Sequence, residues 1–287
     1  MSSTTPSPGK GARPSKNERR DAAREQARVL REQQAKRDKR NKIFGISMLG
    51  AAVIALVVVV VVIISQRPNG DDALPEYADT PLSEVTDVPS VALADGGIPV
   101  AAEGVGGAVD ESLPRVDVYL DYMCPACGAF EETNGDNLIT LASDGAATVV
   151  YHPIAILNRF SNGTGFSTRA AAASALVAEE APEAFATFNQ ELFAGQPEEG
   201  TSGLSNEEIA DIAREAGVSD EVAARIADGS ALDSFGQWVT SATNEVSANQ
   251  ELANPQSGSF GTPTITIDGV VWTGDWSDPA NLLGAVG

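Results

Sequence analysis

The 287-residue chain has only two cysteines and one histidine, and beyond residue 42 it has no lysine at all. Each shortage excludes something. A closed structural zinc site takes four ligands, so two Cys and one His fall short unless carboxylates or a second chain complete it. Residues 43–287 carry six basic side chains, all arginine, against 35 Asp and Glu. A nucleic-acid surface needs clustered Lys and Arg, so no nucleic acid is expected as a partner of this body.

The missing lysines are concentrated at one end. Residues 1–42 hold 13 of the 19 Lys and Arg and only 5 of the 40 Asp and Glu. Such an arm alone would read as a nucleic-acid tail, but Ile43 to Ile64 follows it, 22 residues without a charge. At about 1.5 Å per residue that run covers the roughly 30 Å hydrocarbon core of a bilayer. It is longer than the apolar region of a cleaved signal peptide, and Ser65-Gln66-Arg67-Pro68 is not a small-residue cleavage site. The positive arm sets the orientation, with the N-terminus cytoplasmic and the remainder outside the cell membrane. The expected organisation is a basic cytoplasmic arm over 1–42, a lipid-contacting transmembrane helix over 43–64 and an extracytoplasmic linker over 65–110. A folded domain over 111–287 completes it.

The linker is rich in Pro, Gly, Asp and Ala and reads mainly as a tether, with Ile98-Pro99-Val100 adding a short edge strand. From Leu113 the pattern is that of an α/β unit. Arg115–Leu120 reads as a strand, the segment from Cys124 to about Leu141 as a helix, and Ala147–Ile156 as a second strand, where Pro153 marks an edge or a strand end. A helical block follows, in which Ser205-Asn206-Glu207-Glu208 is a capping box. Thr264–Ile267 and Val270–Trp272, joined by Asp268-Gly269, read as a β-hairpin, and Asp278–Val286 as a closing helix. The order is βαβ, helices, then ββα: a two-layer α/β fold with a helical insertion at about 161–250.

Both cysteines lie in Cys124-Pro125-Ala126-Cys127, between the first strand and its helix. Backbone N–H groups at a helix start favour negative charge, so the first cysteine is stabilised as a thiolate, the form that attacks disulfides. The second, one turn on, can close on it. As a mere staple the pair would do little, because a two-residue loop removes little unfolded-state entropy. A thiol–disulfide oxidoreductase is therefore the leading reading. The alternatives are a reductase or isomerase using the same pair, or an anchored binding module with an inert bridge.

Cys-Pro-Ala-Cys between strand and helix, with Gly261-Thr262-Pro263-Thr264 leading into a hairpin far downstream, resembles the thioredoxin superfamily. The helical insertion makes it similar to the DsbA-like branch, in a membrane-anchored actinobacterial form. The resemblance implies that Cys124 is the nucleophile and Cys127 the resolving cysteine. It also implies that the Thr262–Pro263 bond is cis and that residue 262 meets the substrate backbone. Substrates would be exported proteins with free thiols or disulfides, and a membrane quinone-linked partner would reoxidise the pair. No cofactor and no metal are called for.

Two departures from the family pattern bear on oxidising strength. Pro125-Ala126 lacks the histidine that strong oxidants place second in the dipeptide, and Val118 stands where relatives bury an acidic proton-transfer residue. Asp121 and Asp117 are the nearby carboxylates, with Asp121 the candidate modulator; His152 reads as a structural or surface residue rather than a catalytic one. Compartment favours the oxidising direction, since disulfides persist outside the cytoplasm.

Overall fold

The computed structural model describes residues 74–287. The arm and the span at 43–64 lie outside these residues; among the described ones no helix is long and apolar enough to cross a membrane.

The sheet is built from β1 (Ile98–Ala101), β2 (Gly104–Val105), β3 (Arg115–Leu120), β4 (Thr148–Pro153), β5 (Thr264–Ile267) and β6 (Val270–Val271). Their order is β2-β1-β4-β3-β5-β6. Only β3 and β4 run parallel, as the intervening helix α1 (Pro125–Ser143) requires of a βαβ crossover. Alternation along β3 divides its side chains between two layers. Val116, Val118 and Leu120 join the main core with Phe130 and Leu138 of α1, while Tyr119 packs with Ile154, Val246 and Leu252. Asp268 and Gly269 both take positive φ, 51° and 77°, which is the geometry a tight hairpin demands.

Between β4 and β5 stand five helices: α2 (Phe166–Glu180), α3 (Phe185–Ala194), α4 (Asn206–Glu215), α5 (Asp220–Ala227) and α6 (Ser230–Ala248). Alanines 170–173 and 175 of α2 are fully buried, because α3, α4, α5 and α6 all pack around this helix. Small side chains let so many helices approach one axis at interior density. Ser205 and Glu208 form the reciprocal capping box at the start of α4. Helix α7 (Pro279–Val286) closes the chain against α1.

Two readings need correction. The expected tether is packed onto the domain from its first described residues. Gln237 exchanges hydrogen bonds with both backbone groups of Ala78 (3.2 and 3.0 Å), Ser241 Oγ donates to the Thr80 carbonyl (2.7 Å), and Leu82 is buried. Gly236 leaves the space that Tyr77 occupies. Composition concealed this, because the strap is held by a few side chains and by its backbone rather than by an apolar period. β1 is also not the edge; β2 is outside it, and β1 pairs with β4. Pro153 accordingly ends an interior strand instead of marking an edge.

Candidate active site

Strand β3 delivers the chain through Asp121, Tyr122 and Met123 to Cys124, which is the N-cap of α1 with extended backbone angles, φ −83° and ψ 113°. Pro125 takes the first helical position, where its missing N–H costs nothing. The Cys124 carbonyl accepts from the N–H of Cys127 (2.9 Å) and Gly128 (3.2 Å), so the first turn is closed directly behind the sulfur. Pro125 and Ala126 are exposed, Cys124 is 7% exposed and Cys127 is 1% exposed. Both thiols are unbridged.

The loop before β5 forms the opposite wall. The Thr262–Pro263 peptide is cis, and the Thr262 carbonyl accepts from Cys124 Sγ at 3.2 Å. Cys124 and Thr262, 138 residues apart in sequence, thus share one site, as β3–β5 pairing requires.

The two sulfurs differ in acidity. A hydrogen bond from Cys127, with further support from the Thr262 side chain and the N–H groups of Cys127 and Ala126, outweighs burial and holds Cys124 down to about 6. Cys127 moves the other way, pushed well above its ordinary value by burial and then by the adjacent Cys124. Ala126 offers no side-chain donor, so within the dipeptide this support is backbone-borne.

Asp121 is fully buried. Its Oδ1 accepts from the Met123 N–H and its Oδ2 from the Leu157 N–H, both at 2.9 Å. Burial raises it to about 6 against those hydrogen bonds, and the neighbouring Cys124 adds to the rise. Asp117 is elsewhere, on the other side of β3. It accepts from Arg115 Nε, His152 Nε2 and Thr266 Oγ1, each at 2.9 Å, and His152 stacks on Tyr119. Asp95, Asp117 and His152 are the described side chains that converge closely enough to suggest a metal, but Arg115 already bridges the two aspartates. Val118 is buried among apolar side chains, so that strand position supplies no carboxyl.

Sequence reasoning missed two residues. Glu131 lies four residues after Cys127 on the buried face of α1, and its signal is a charge within an apolar pattern. Gln196, just after α3, gave no signal. Its Nε2 donates to the carbonyls of Tyr122 (2.8 Å) and Cys124 (3.0 Å), reaching across Gly128. A Cβ at 128 would come within 2.7 Å of Gln196 Oε1. Gly128→Ala is therefore expected to displace Gln196 from both carbonyls. Two lost hydrogen bonds of about 1 kcal/mol each outweigh the roughly 1 kcal/mol that Ala gains over Gly in a helix, lowering stability by about 1 kcal/mol. Urea titration of the reduced protein measures this, and an unchanged midpoint would refute it.

Fold and site together define a thiol–disulfide oxidoreductase of thioredoxin architecture. The chain belongs to the thioredoxin family, whose model matches residues 109–283. Solved structures similar to it include reduced DsbA from Mycobacterium tuberculosis, 27% identical with a TM-score of 0.53, covering 67% of this chain and 90% of that one. DsbG from the same organism is also 27% identical with a TM-score of 0.53, covering 70% and 90%. MdbA from Actinomyces oris, a thiol-disulfide oxidoreductase, shares the fold at 22% identity and a TM-score of 0.54, over 77% of this chain and 96% of that one. Among curated proteins, the serine/threonine-protein kinase PknE of M. tuberculosis is 31% identical over 196 residues. That match covers 66% of this chain, which spans about a third (32%) of the kinase.

Proposed function

We propose that the chain oxidises cysteines of exported proteins outside the cell membrane, with Cys124 as nucleophile and Cys127 as resolving cysteine. The observation that carries this reading is the asymmetry of the pair: one sulfur at a helix N-terminus and low in pKa, the other buried and high. A stabilised reduced thiolate makes the corresponding disulfide the stronger oxidant.

The cycle starts from the Cys124–Cys127 disulfide. A substrate thiolate attacks Cys124 Sγ; a bond forms to the substrate sulfur, the Cys124–Cys127 bond breaks, and Cys127 leaves as a thiolate that takes up a proton. A second substrate thiolate then attacks the substrate sulfur of the mixed disulfide. Cys124 is expelled as the better leaving group because its pKa is low. The substrate loses two electrons and the enzyme pair gains them. A membrane quinone-linked partner removes them in the next step. Thr262 and Pro263 provide the wall along which a substrate segment lies, and Pro125 and Ala126 its exposed neighbour. Asp121, buried beside Cys124 and raised to about 6, titrates in the same range as the sulfur and is placed to exchange a proton with it.

The basic arm and the 22 uncharged residues after it support an anchor with the catalytic domain outside. One measurement tests address and chemistry together. Spheroplasts are briefly reduced and then treated with a membrane-impermeant alkylating reagent across a pH series. A depressed pKa means that the thiolate persists above about pH 6 and is lost below it. Labelling of Cys124 in intact spheroplasts is expected, with an inflection near pH 6 and a fall of about tenfold per pH unit beneath it. Labelling only after lysis would refute the location, and an inflection near 9 the activated thiolate.

A further inference from the structure

A groove of about 730 Å³ runs from Pro125 and Gly128 along α1 to the end of α3. Three of its lining residues are acidic: Glu131, Glu132 and Asp136. None of them enters an ion pair among the described residues, and no arginine lines the groove. Glu132 and Asp136 are exposed at its rim. Glu131 is 5% exposed, and neither carboxylate oxygen has a hydrogen-bond partner. Space is kept for it, since a Cβ at Gly135 would come within 2.6 Å of Glu131 Oε1. Burying a carboxyl without a hydrogen bond of good geometry is costly, and burial raises this one to about 7, even though the Asn189 side chain lies near enough to favour its charged form.

The groove adjoins the dithiol. Gln196, one of its walls, donates to the Cys124 carbonyl at 3.0 Å, and Pro125 belongs to both sites. Its apolar lining, Ala129 and Phe193, suits the aliphatic stem of a long cationic side chain whose head meets the carboxylates. We propose that this groove is a subsite for a lysine or arginine side chain of the polypeptide whose cysteine engages Cys124. The inference rests on the thiol–disulfide exchange reading above and adds a charge preference to it.

The test compares two synthetic dithiol peptides, one with a run of lysines after the cysteine pair and one with a run of glutamates. The full chain oxidises each at low ionic strength, and every rate is divided by the same protein's rate with dithiothreitol. The lysine peptide is expected to be faster by about tenfold. E132Q/D136N is expected to bring the two near parity. E103Q/E111Q, which removes the same charge from exposed positions outside the groove, keeps the preference. Equal normalised rates in the unmodified protein overturn the subsite, and so does an equal loss of preference in both double variants. Failure to oxidise dithiothreitol at all refutes the exchange reading, and the subsite falls with it.

Discussion

Replacing Cys124 with serine is expected to abolish disulfide formation, by at least about three orders of magnitude in rate. The hydroxyl cannot form the mixed disulfide, and the remaining Cys127 is 1% exposed and pushed high by burial. Cys127→Ser should behave differently. Cys124 keeps its position on the helix N-terminus and its contact with Thr262, so it still captures substrate, but nothing inside the protein resolves the adduct. Non-reducing electrophoresis of cell envelopes checks both. Exported proteins should retain free thiols in the Cys124 variant, and thiol-sensitive adducts should accumulate in the Cys127 variant. Normally oxidised exported proteins in the Cys124→Ser strain would sink the oxidase reading.

The largest stability effect is expected far from the cysteines. Asp117→Ala leaves Arg115, His152 and Thr266 facing an empty position between β4 and β5, and breaking such a buried pair costs roughly 3–5 kcal/mol. Burial opposes the charge of Asp117, yet His152 and then Arg115 hold its carboxyl below the usual value of 3.8. A depressed folded-state pKa contributes stability that is complete above the unfolded value and lost as pH falls through the lower folded one. The cost of the substitution should therefore be full at pH 7 and persist at pH 5. Urea midpoints at the two pH values measure it. A loss below about 1 kcal/mol would mean that the cluster is solvated and dispensable.

Local signals carried much of the fold. Valine alternation in β3, the capping box at Ser205 and the Asp268-Gly269 turn each specify structure within a few residues, and all three stand as read. The cysteine motif was equally local, because its chemistry follows from a strand end meeting a helix start. What stayed hidden depends on distant partners. The strap from Leu74 is fixed by Gln237 and Ser241, about 160 residues later. Gln196 matters only because α3 ends beside Gly128. The depth of Asp121 could not be inferred either; a loop aspartate looks exposed until Met123 and Leu157 turn their N–H groups onto it.

The strap also bears on the order in which the chain can assemble. Residues 77–82 precede every strand of the sheet, yet their partners on α6 are made last but for the final hairpin and helix. The loop that must close between them is among the longest in the domain, and contacts of such separation repay their entropy only once the intervening structure is in place. A chain emerging N-terminus first thus holds residues 77–82 without their α6 partners until α6 arrives. The seam between strap and α6 is therefore a late contact, followed only by the β3–β5 pairing and the closing helix, and until it closes the space at Gly236 lacks Tyr77.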